Sequence, residues 1–166
     1  MSAKKKMKPL PPALLRLEAF WVESLEVKAE QDWQAPEGPV KMALTGDSEY
    51  AFAPEEGKVL IRLSFESERD GPNRLPYQVR ATVAGTFSLA GDVPEDQRDR
   101  LVYINGTAIL YGIARGALAT VTALGRYGPV HLPTVNFVDL LERQPARRKA
   151  ARPRRKTPQQ APRRED

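Results

Sequence analysis

Apolar and polar positions alternate along the first half of the chain and then change period. From Leu14 to Val27, apolar side chains fall at Leu15, Leu17, Ala19 and Trp21, and then at Val22, Leu25 and Val27 in shifted phase. Alternation sets one face of an extended strand against a core, and the shift predicts a bulge. Gln34 to Pro39 reads as a loop from its Pro and Gly content, after which Val40, Met42 and Leu44 alternate with Lys41, Ala43 and Thr45 as a second strand. Lys58 to Glu68 alternates most cleanly, with Val59, Ile61, Leu63 and Phe65 on one face and Leu60, Arg62, Ser64 and Glu66 on the other. The turn residues Asp70, Gly71, Pro72 and Asn73 precede a fourth run, Tyr77, Val79, Ala81 and Val83, which ends near Gly85.

Helical signals begin at Pro94, which is followed by Glu95 and Asp96 and predicts a short helical turn. Asn105-Gly106 has hairpin-turn chemistry, but no alternating strand follows it. Thr107 to Leu124 is rich in Ala and Leu and closes at Gly125, as a long helix does. Asn136 to Arg143 predicts a second, short helix, with Asn136 as its cap and Val135 packing on the first turn before Pro145 stops it. Four strands followed by helices is the order of an α+β fold.

Length and charge refine this picture. With 166 residues the chain can form one domain that buries roughly two thirds of its unfolded surface. The formal net charge of +5 belongs to the ends. Residues 1–8 hold four lysines, and residues 144–166 hold nine basic residues against Glu165 and Asp166. The remainder has 13 basic and 19 acidic residues, a body of net charge −6. The expected division is a basic disordered tail over 1–13, a folded domain over 14–143, and a Pro- and Arg-rich disordered tail over 144–166. Pro9, Pro11, Pro12, Arg16 and Glu18 interrupt the N-terminal apolar stretch, so no export signal is expected. Ala108 to Leu124 is short for a bilayer and carries Arg115, so no membrane insertion is expected.

Enzymatic chemistry finds little material. There is no cysteine, which excludes disulfides, thiolate metal sites and a cysteine nucleophile. His131 is the only histidine, so one chain cannot build a His-based triad or a multi-His metal site. Glu66, Glu68 and Asp70 share a strand face, a pattern that keeps a sheet edge soluble. The glycines have no phosphate-cradle spacing. No enzyme activity, cofactor or metal is expected.

Three stretches, in order, resemble the SecB family of protein-export chaperones. Leu15 to Val27 followed by Asp32-Trp33-Gln34 and Pro36 is similar to the family's opening strand and crossover loop. Gly85-Thr86-Phe87-Ser88-Leu89-Ala90-Gly91 resembles the ending of its fourth strand. Ile109-Leu110-Tyr111, Ala114-Arg115, Gly125, Tyr127 and then Leu132-Pro133-Thr134-Val135-Asn136-Phe137 resemble its helix motif and closing loop. The resemblance implies a four-stranded antiparallel sheet backed by one long and one short C-terminal helix. It also implies a homotetramer, a dimer of dimers, in the cytoplasm, that holds unfolded client polypeptides without ATP.

Such a holdase displays apolar and aromatic surface that ordinary monomers avoid. The candidates for client binding are Trp33, Tyr103, Tyr111, Phe137 and Leu140, with Phe20 and Met42 behind them. Aromatic rings and methionine give large, adaptable contacts with little sequence discrimination. A core role is the competing reading for each, most strongly for Phe137 and Leu140, whereas Trp33 lies between Asp32 and Gln34 in a loop and ranks first. Ala108, Gly112, Gly116 and Thr120 fall four apart on one helical face. They form either an oligomer interface or a flat stripe fitted under the chain's own sheet.

The chain departs from the family pattern in charge. The family's export motor, SecA, docks on an acidic sheet surface and on the C-terminal segment. Here Ser24 and Lys28 stand at the positions of two docking acids, Gln78 and Arg80 replace a leucine and an acid, and the C-terminal tail is basic. Like charges oppose such a contact, so SecA is not inherited as a partner with the fold. Three readings follow: a general SecB-like holdase, a SecB-like chaperone dedicated to one client such as an antitoxin, and an adaptor that binds nucleic acid or ribosomes through its basic tails.

Overall fold

The computed structural model describes residues 12–35, 37, 42–68, 75–91 and 93–143. The C-terminal tail, nearly all of the N-terminal tail, Pro36, Val40, and the Asp70 to Asn73 turn lie outside the described residues. Four strands, β1 (Leu15–Ala29), β2 (Leu44–Ala53), β3 (Lys58–Ser67) and β4 (Tyr77–Leu89), form one antiparallel sheet in the order β1-β4-β3-β2. The first strand thus returns beside the last, and β1 and β2 are the two edges.

Strand pairing explains where the sheet differs from the pattern of apolar residues. Of the run expected as the second strand, Val40 and Lys41 lie outside the described residues, Met42 and Ala43 are not strand, and β2 starts at Leu44 and continues to Ala53. Continuous pairing from Leu44↔Ser67 to Ala53↔Lys58 draws the polar stretch Gly46, Asp47 and Ser48 into the ladder. In the same way β4 runs past Gly85 to Leu89, which pairs with Leu15. The single bulge expected in β1 is two, with register shifts between Leu17 and Ala19 and between Val22 and Ser24. Both extra residues are glutamates. Glu18 accepts hydrogen bonds from Arg16 at 2.9 Å and from Ser88 at 2.6 Å, which hold its carboxyl below the usual range. Glu23 pairs with Arg62.

The two bulges turn Trp21 to the outward face, opposite Ala84, and leave Phe20 and Val22 on the inner one. On β3 and β4 the inner face is closed. Val59, Ile61, Leu63, Phe65, Tyr77, Val79, Ala81, Val83 and Phe87 are buried.

A continuous helix covers them. It consists of α1 (Glu95–Leu101), a π-helical turn over Val102–Gly106, and α2 (Thr107–Ala123). Pro94 stands just before its first residue, and its carbonyl accepts hydrogen bonds from the Gln97 and Arg98 amides. Asn105-Gly106, despite its hairpin-turn chemistry, is therefore a helical segment. Gly106 is needed because the helix presses on the sheet there: a Cβ at this position would land on Ile61 Cδ1 and come 3.5 Å from Leu15 Cδ2.

At 29 residues the helix Glu95–Ala123 is long and apolar enough, by length and composition, to cross a membrane. In this fold 44% of its apolar window is buried inside the molecule. Leu110, Ala114 and Leu118 lie in the core on the sheet, and fully burying one leucine contributes about 1.5–3 kcal/mol. The last helix, α3 (Phe137–Arg143), starts as expected at Asn136, whose Oδ1 accepts the Val138 amide at 3.1 Å.

The contact at Gly106 gives a direct test. Gly106→Ala should destabilise the fold by about 1–3 kcal/mol in denaturant titration, because the added methyl overpacks a closed core. Adding Ile61→Val removes the opposing Cδ1, so the double variant should be more stable than Gly106→Ala alone. Simple additivity of the two losses would show that the steric account is wrong.

Candidate functional site

Beyond Ala29 the chain leaves β1 and passes through Glu30 and Gln31 to Trp33, while Leu75 and Pro76 lead into β4. After α2 a closing loop folds back toward the same end of the sheet. Together these segments enclose an open cavity of about 450 Å³. Trp33 and Met42 line one part of it, Leu75 and Pro76 a second, and Tyr127, Pro129, Val130, His131 and Pro133 of the closing loop a third.

The closing loop is held from behind. Tyr77 is buried, and its hydroxyl oxygen accepts the Tyr127 amide at 3.0 Å. Gly125 admits this arrangement, since a Cβ there would meet the Tyr77 ring and hydroxyl. The buried Thr122 hydroxyl donates to the Leu118 carbonyl at 2.8 Å, a bond within α2, and accepts the Val130 amide at 2.8 Å. Further along, Tyr111 donates its hydroxyl to the Pro133 carbonyl at 2.8 Å. The loop is thus fixed on core groups, with no long hydrophobic run of its own.

Three rings connect core and cavity. Tyr77 and Tyr127 meet edge to face at 5.8 Å, and Tyr127 and Trp33 at 5.3 Å. Such pairs contribute about 0.5–1.5 kcal/mol beyond the area they bury. Trp33 and Tyr127 are both half-buried, so each keeps part of its ring on the cavity side.

The seven candidate client-binding residues separate into three groups. Trp33 and Met42 come together in the cavity. Phe20, 52% exposed on β1, and Leu140, 37% exposed on α3, lie outside it. Tyr103, Tyr111 and Phe137 are buried at 2%, 6% and 9% exposure, so they are core residues of the chain. Tyr111 stacks edge-on with Phe65 at 5.8 Å and with Phe137 at 5.6 Å beneath the closing loop. Sequence reasoning missed most of the lining, including Tyr127, Pro129 and His131, although the proline spacing across residues 129–133 marks a loop stiff enough to form a wall.

The helix stripe also has a definite place. Ala108, Gly112, Gly116 and Thr120 are all exposed, beside Ile109, Val121 and Leu124. A Cβ at Gly112 or Gly116 would meet nothing within 4 Å. This excludes the reading in which the stripe fits under the chain's own sheet.

The matching of family sequence models settles the kinship. The model described as preprotein translocase subunit SecB matches residues 22–148, about three quarters of the chain. The chain belongs to the SecB family. Among SecB relatives, the protein-export protein SecB of Rhodospirillum centenum is 28% identical over 116 residues, covering 70% of this chain and 68% of the relative. Its counterpart in Ruegeria sp. is 26% identical over 118 residues, covering 71% and 70%. That of Rhodopseudomonas palustris strain BisA53 is 32% identical over 107 residues, covering 62% and 66%. A solved structure of a Mycobacterium tuberculosis SecB-like chaperone, in complex with a ChAD peptide from the HigA1 antitoxin, shares the fold. Its TM-score is 0.52 at 12% identity, covering 73% of this chain and 90% of that one. The α+β SecB-like fold follows, and with it the general description of a SecB-like chaperone.

On this SecB-like sheet the four charge-altered positions lie on the outward face. Lys28 pairs with Gln78, Ser24 with Thr82, and Glu26 with Arg80. Arg80 bonds Glu66 at 3.0 Å and lies 3.9 Å from Glu26, so one cation is shared between two acids across three strands. Exposed pairs of this kind contribute about 0–1 kcal/mol, and their larger effect is on the sign of the face. Among the described residues no group of three or more His, Asp or Glu side chains is arranged to hold a metal ion.

One pH effect follows from Tyr111. Burial pushes its phenol up to about 12, against a smaller opposing effect of Arg115. The folded chain therefore keeps this proton after the unfolded chain, with an ordinary value of 10.0, has lost it. The stabilisation is full below that ordinary value and is lost as pH rises toward the folded value. Denaturant titrations between about pH 10 and about pH 12 should show falling stability, with a shallower fall in Tyr111→Phe. Equal slopes would contradict the assignment.

Proposed function

We propose that this SecB-family chain is an ATP-independent holdase that takes apolar segments of unfolded polypeptides into the cavity between the crossover loop and the closing loop. The observation that supports this most is the cavity's lining. Its wall carries Trp33, Tyr127, Met42, Leu75, Val130 and three prolines, with His131 and backbone groups as its polar part. Proline has no amide hydrogen to donate, aromatic rings accept many shapes, and methionine adapts. Binding then comes mainly from burial of apolar area, about 25 cal/mol per Å², and discriminates little between sequences.

A volume of about 450 Å³ holds a few side chains, so tight retention of a client needs several cavities acting together. The exposed stripe on α2 supplies a route to such an assembly, in which helices of neighbouring copies approach closely over Gly112 and Gly116. The assembly we favour is the homotetramer of the family's dimer-of-dimers type, working in the cytoplasm with no nucleotide, cofactor or enzymatic step. The outward sheet face, with Lys28 exposed on β1 and Arg80 paired to Glu26 and Glu66, is a poor match for an acid-dependent motor contact. We therefore leave SecA out of the partners.

The M. tuberculosis neighbour holds an antitoxin peptide, which supports a second reading, a chaperone dedicated to one client. Client range separates the two: suppression of aggregation of several unrelated unfolded proteins fits the general holdase only. A nucleic-acid role would rest on the nine basic residues of 144–166. Deleting that segment would abolish salt-sensitive RNA binding if the role is real and leave it unchanged otherwise.

The main reading is tested with Trp33→Ala. Loss of a large half-buried ring from the cavity should weaken client binding by about 1–3 kcal/mol and lower aggregation suppression, with the mass of the assembly unchanged. Full activity in an intact assembly would remove Trp33 from the client site.

A further inference from the structure

Beyond Ala29 the crossover segment keeps one tie to the sheet at Glu30, whose amide donates to the Pro76 carbonyl at 2.9 Å and whose side chain accepts from Gln78 at 2.6 Å. Gln31 to Trp33 then run on outside any helix or strand, although one wall of the cavity depends on where they lie. The segment's backbone is caught by a residue of the opposite wall. The Tyr127 hydroxyl lies 2.6 Å from the Glu30 carbonyl oxygen and 3.3 Å from that of Gln31, and its one proton is shared between them. Behind the hydroxyl, the ring packs edge-on against buried Tyr77, and the backbone amide is bonded to the Tyr77 hydroxyl. In front, the same ring meets Trp33 edge-on. Arg126 reinforces the join: its guanidinium lies 4.9 Å from the centre of the Tyr127 ring, and its Nη1 donates to the Gln31 carbonyl at 3.4 Å.

We infer that Tyr127 is a positioning residue whose hydroxyl clasps Glu30 and Gln31 to the closing loop and holds Trp33 in place before a client arrives. The inference rests on the reading of this cavity as the client site. A wall ordered in advance spares the client the cost of ordering it, which is a gain in affinity without any new contact to the client. Phenylalanine at 127 keeps the ring, its volume and its stacking, but leaves the Glu30 carbonyl to water and the Gln31 carbonyl to Arg126 alone. The crossover segment should then loosen while the core stays as it is.

The experiment uses the full chain with Trp21→Phe, which leaves Trp33 as the sole tryptophan. Acrylamide quenching reports the exposure of Trp33, and binding of a chemically unfolded, fluorescently labelled client reports function. In this background Tyr127→Phe should raise quenching of Trp33 about twofold and weaken client binding roughly three- to tenfold, the factor expected for one lost net hydrogen bond. Saturation with client should bring the quenching of the two proteins together again. Val59→Ala, a core variant that pairs with Phe87 at the far end of β4 from Tyr77, should lower the thermal midpoint and leave Trp33 quenching unchanged. Unchanged quenching in Tyr127→Phe overturns the proposal, and so does an equal rise in Val59→Ala, which would mean general loosening. If quenching rises in Tyr127→Phe but neither protein binds client, the clasp stands and the client reading of the cavity fails.

Discussion

One helix has to cover a four-stranded sheet, and much of this structure follows from that mismatch. A helix with its side chains is about 10 Å across, whereas strands lie about 4.8 Å apart, so one helix closes the inner face of two strands. Here the two are β3 and β4, whose inner residues are buried from Val59 to Phe87. The edges stay partly open. On β1, Phe20 and Val22 are exposed, and on β2 Phe52 is. The back of the helix itself is left apolar and open at Ile109, Val121 and Leu124. Such a domain leaves apolar side chains in reach of partners, and both proposed uses, assembly and client capture, draw on them.

The same mismatch explains the closing loop. With the helix committed to the middle of the sheet, the end near Tyr77 needs another cover, and residues 125–133 supply it through Val130 and Leu132. Because the loop is anchored on the Tyr77, Thr122 and Tyr111 hydroxyls, it can be rigid while its outer side remains free to form a cavity wall. Core packing and the candidate site therefore share residues. Tyr77 belongs to the core, yet it determines where Tyr127 stands, and Tyr127 stands against Trp33.

Much of this was legible in the chain's apolar pattern. The alternation at Val59, Ile61, Leu63 and Phe65 and at Tyr77 to Val83 identifies the two covered strands, because burial on one face leaves a period of two. Features set by partners were not legible. The second bulge in β1 depends on register with β4, and the strand character of Gly46 to Ser48 depends on pairing with β3. Asn105-Gly106 has the chemistry of a turn, but Gly106 is there for its close approach to Ile61. At the site, Trp33 stood out because it is an aromatic residue in a polar loop. Tyr103, Tyr111 and Phe137 are equally aromatic and lie in the core, since residue type alone does not say which side of a helix or loop meets the sheet. Tyr127 and its neighbours were visible as a family-like loop, but their lining of a cavity arises only when the loop folds back.

The central claim is that clients are held between the crossover loop and the closing loop. Hydrogen exchange of the intact protein, with and without a saturating unfolded client, addresses it most directly. The account predicts slower exchange at the amides of Gln31 to Trp33, of Arg126 to Gly128 and of Val130 and His131, with no change at the outward-facing Leu60, Arg62, Ser64 and Glu66 of β3. Protection confined to the outward sheet face, with the two loops exchanging as in the free protein, would contradict it.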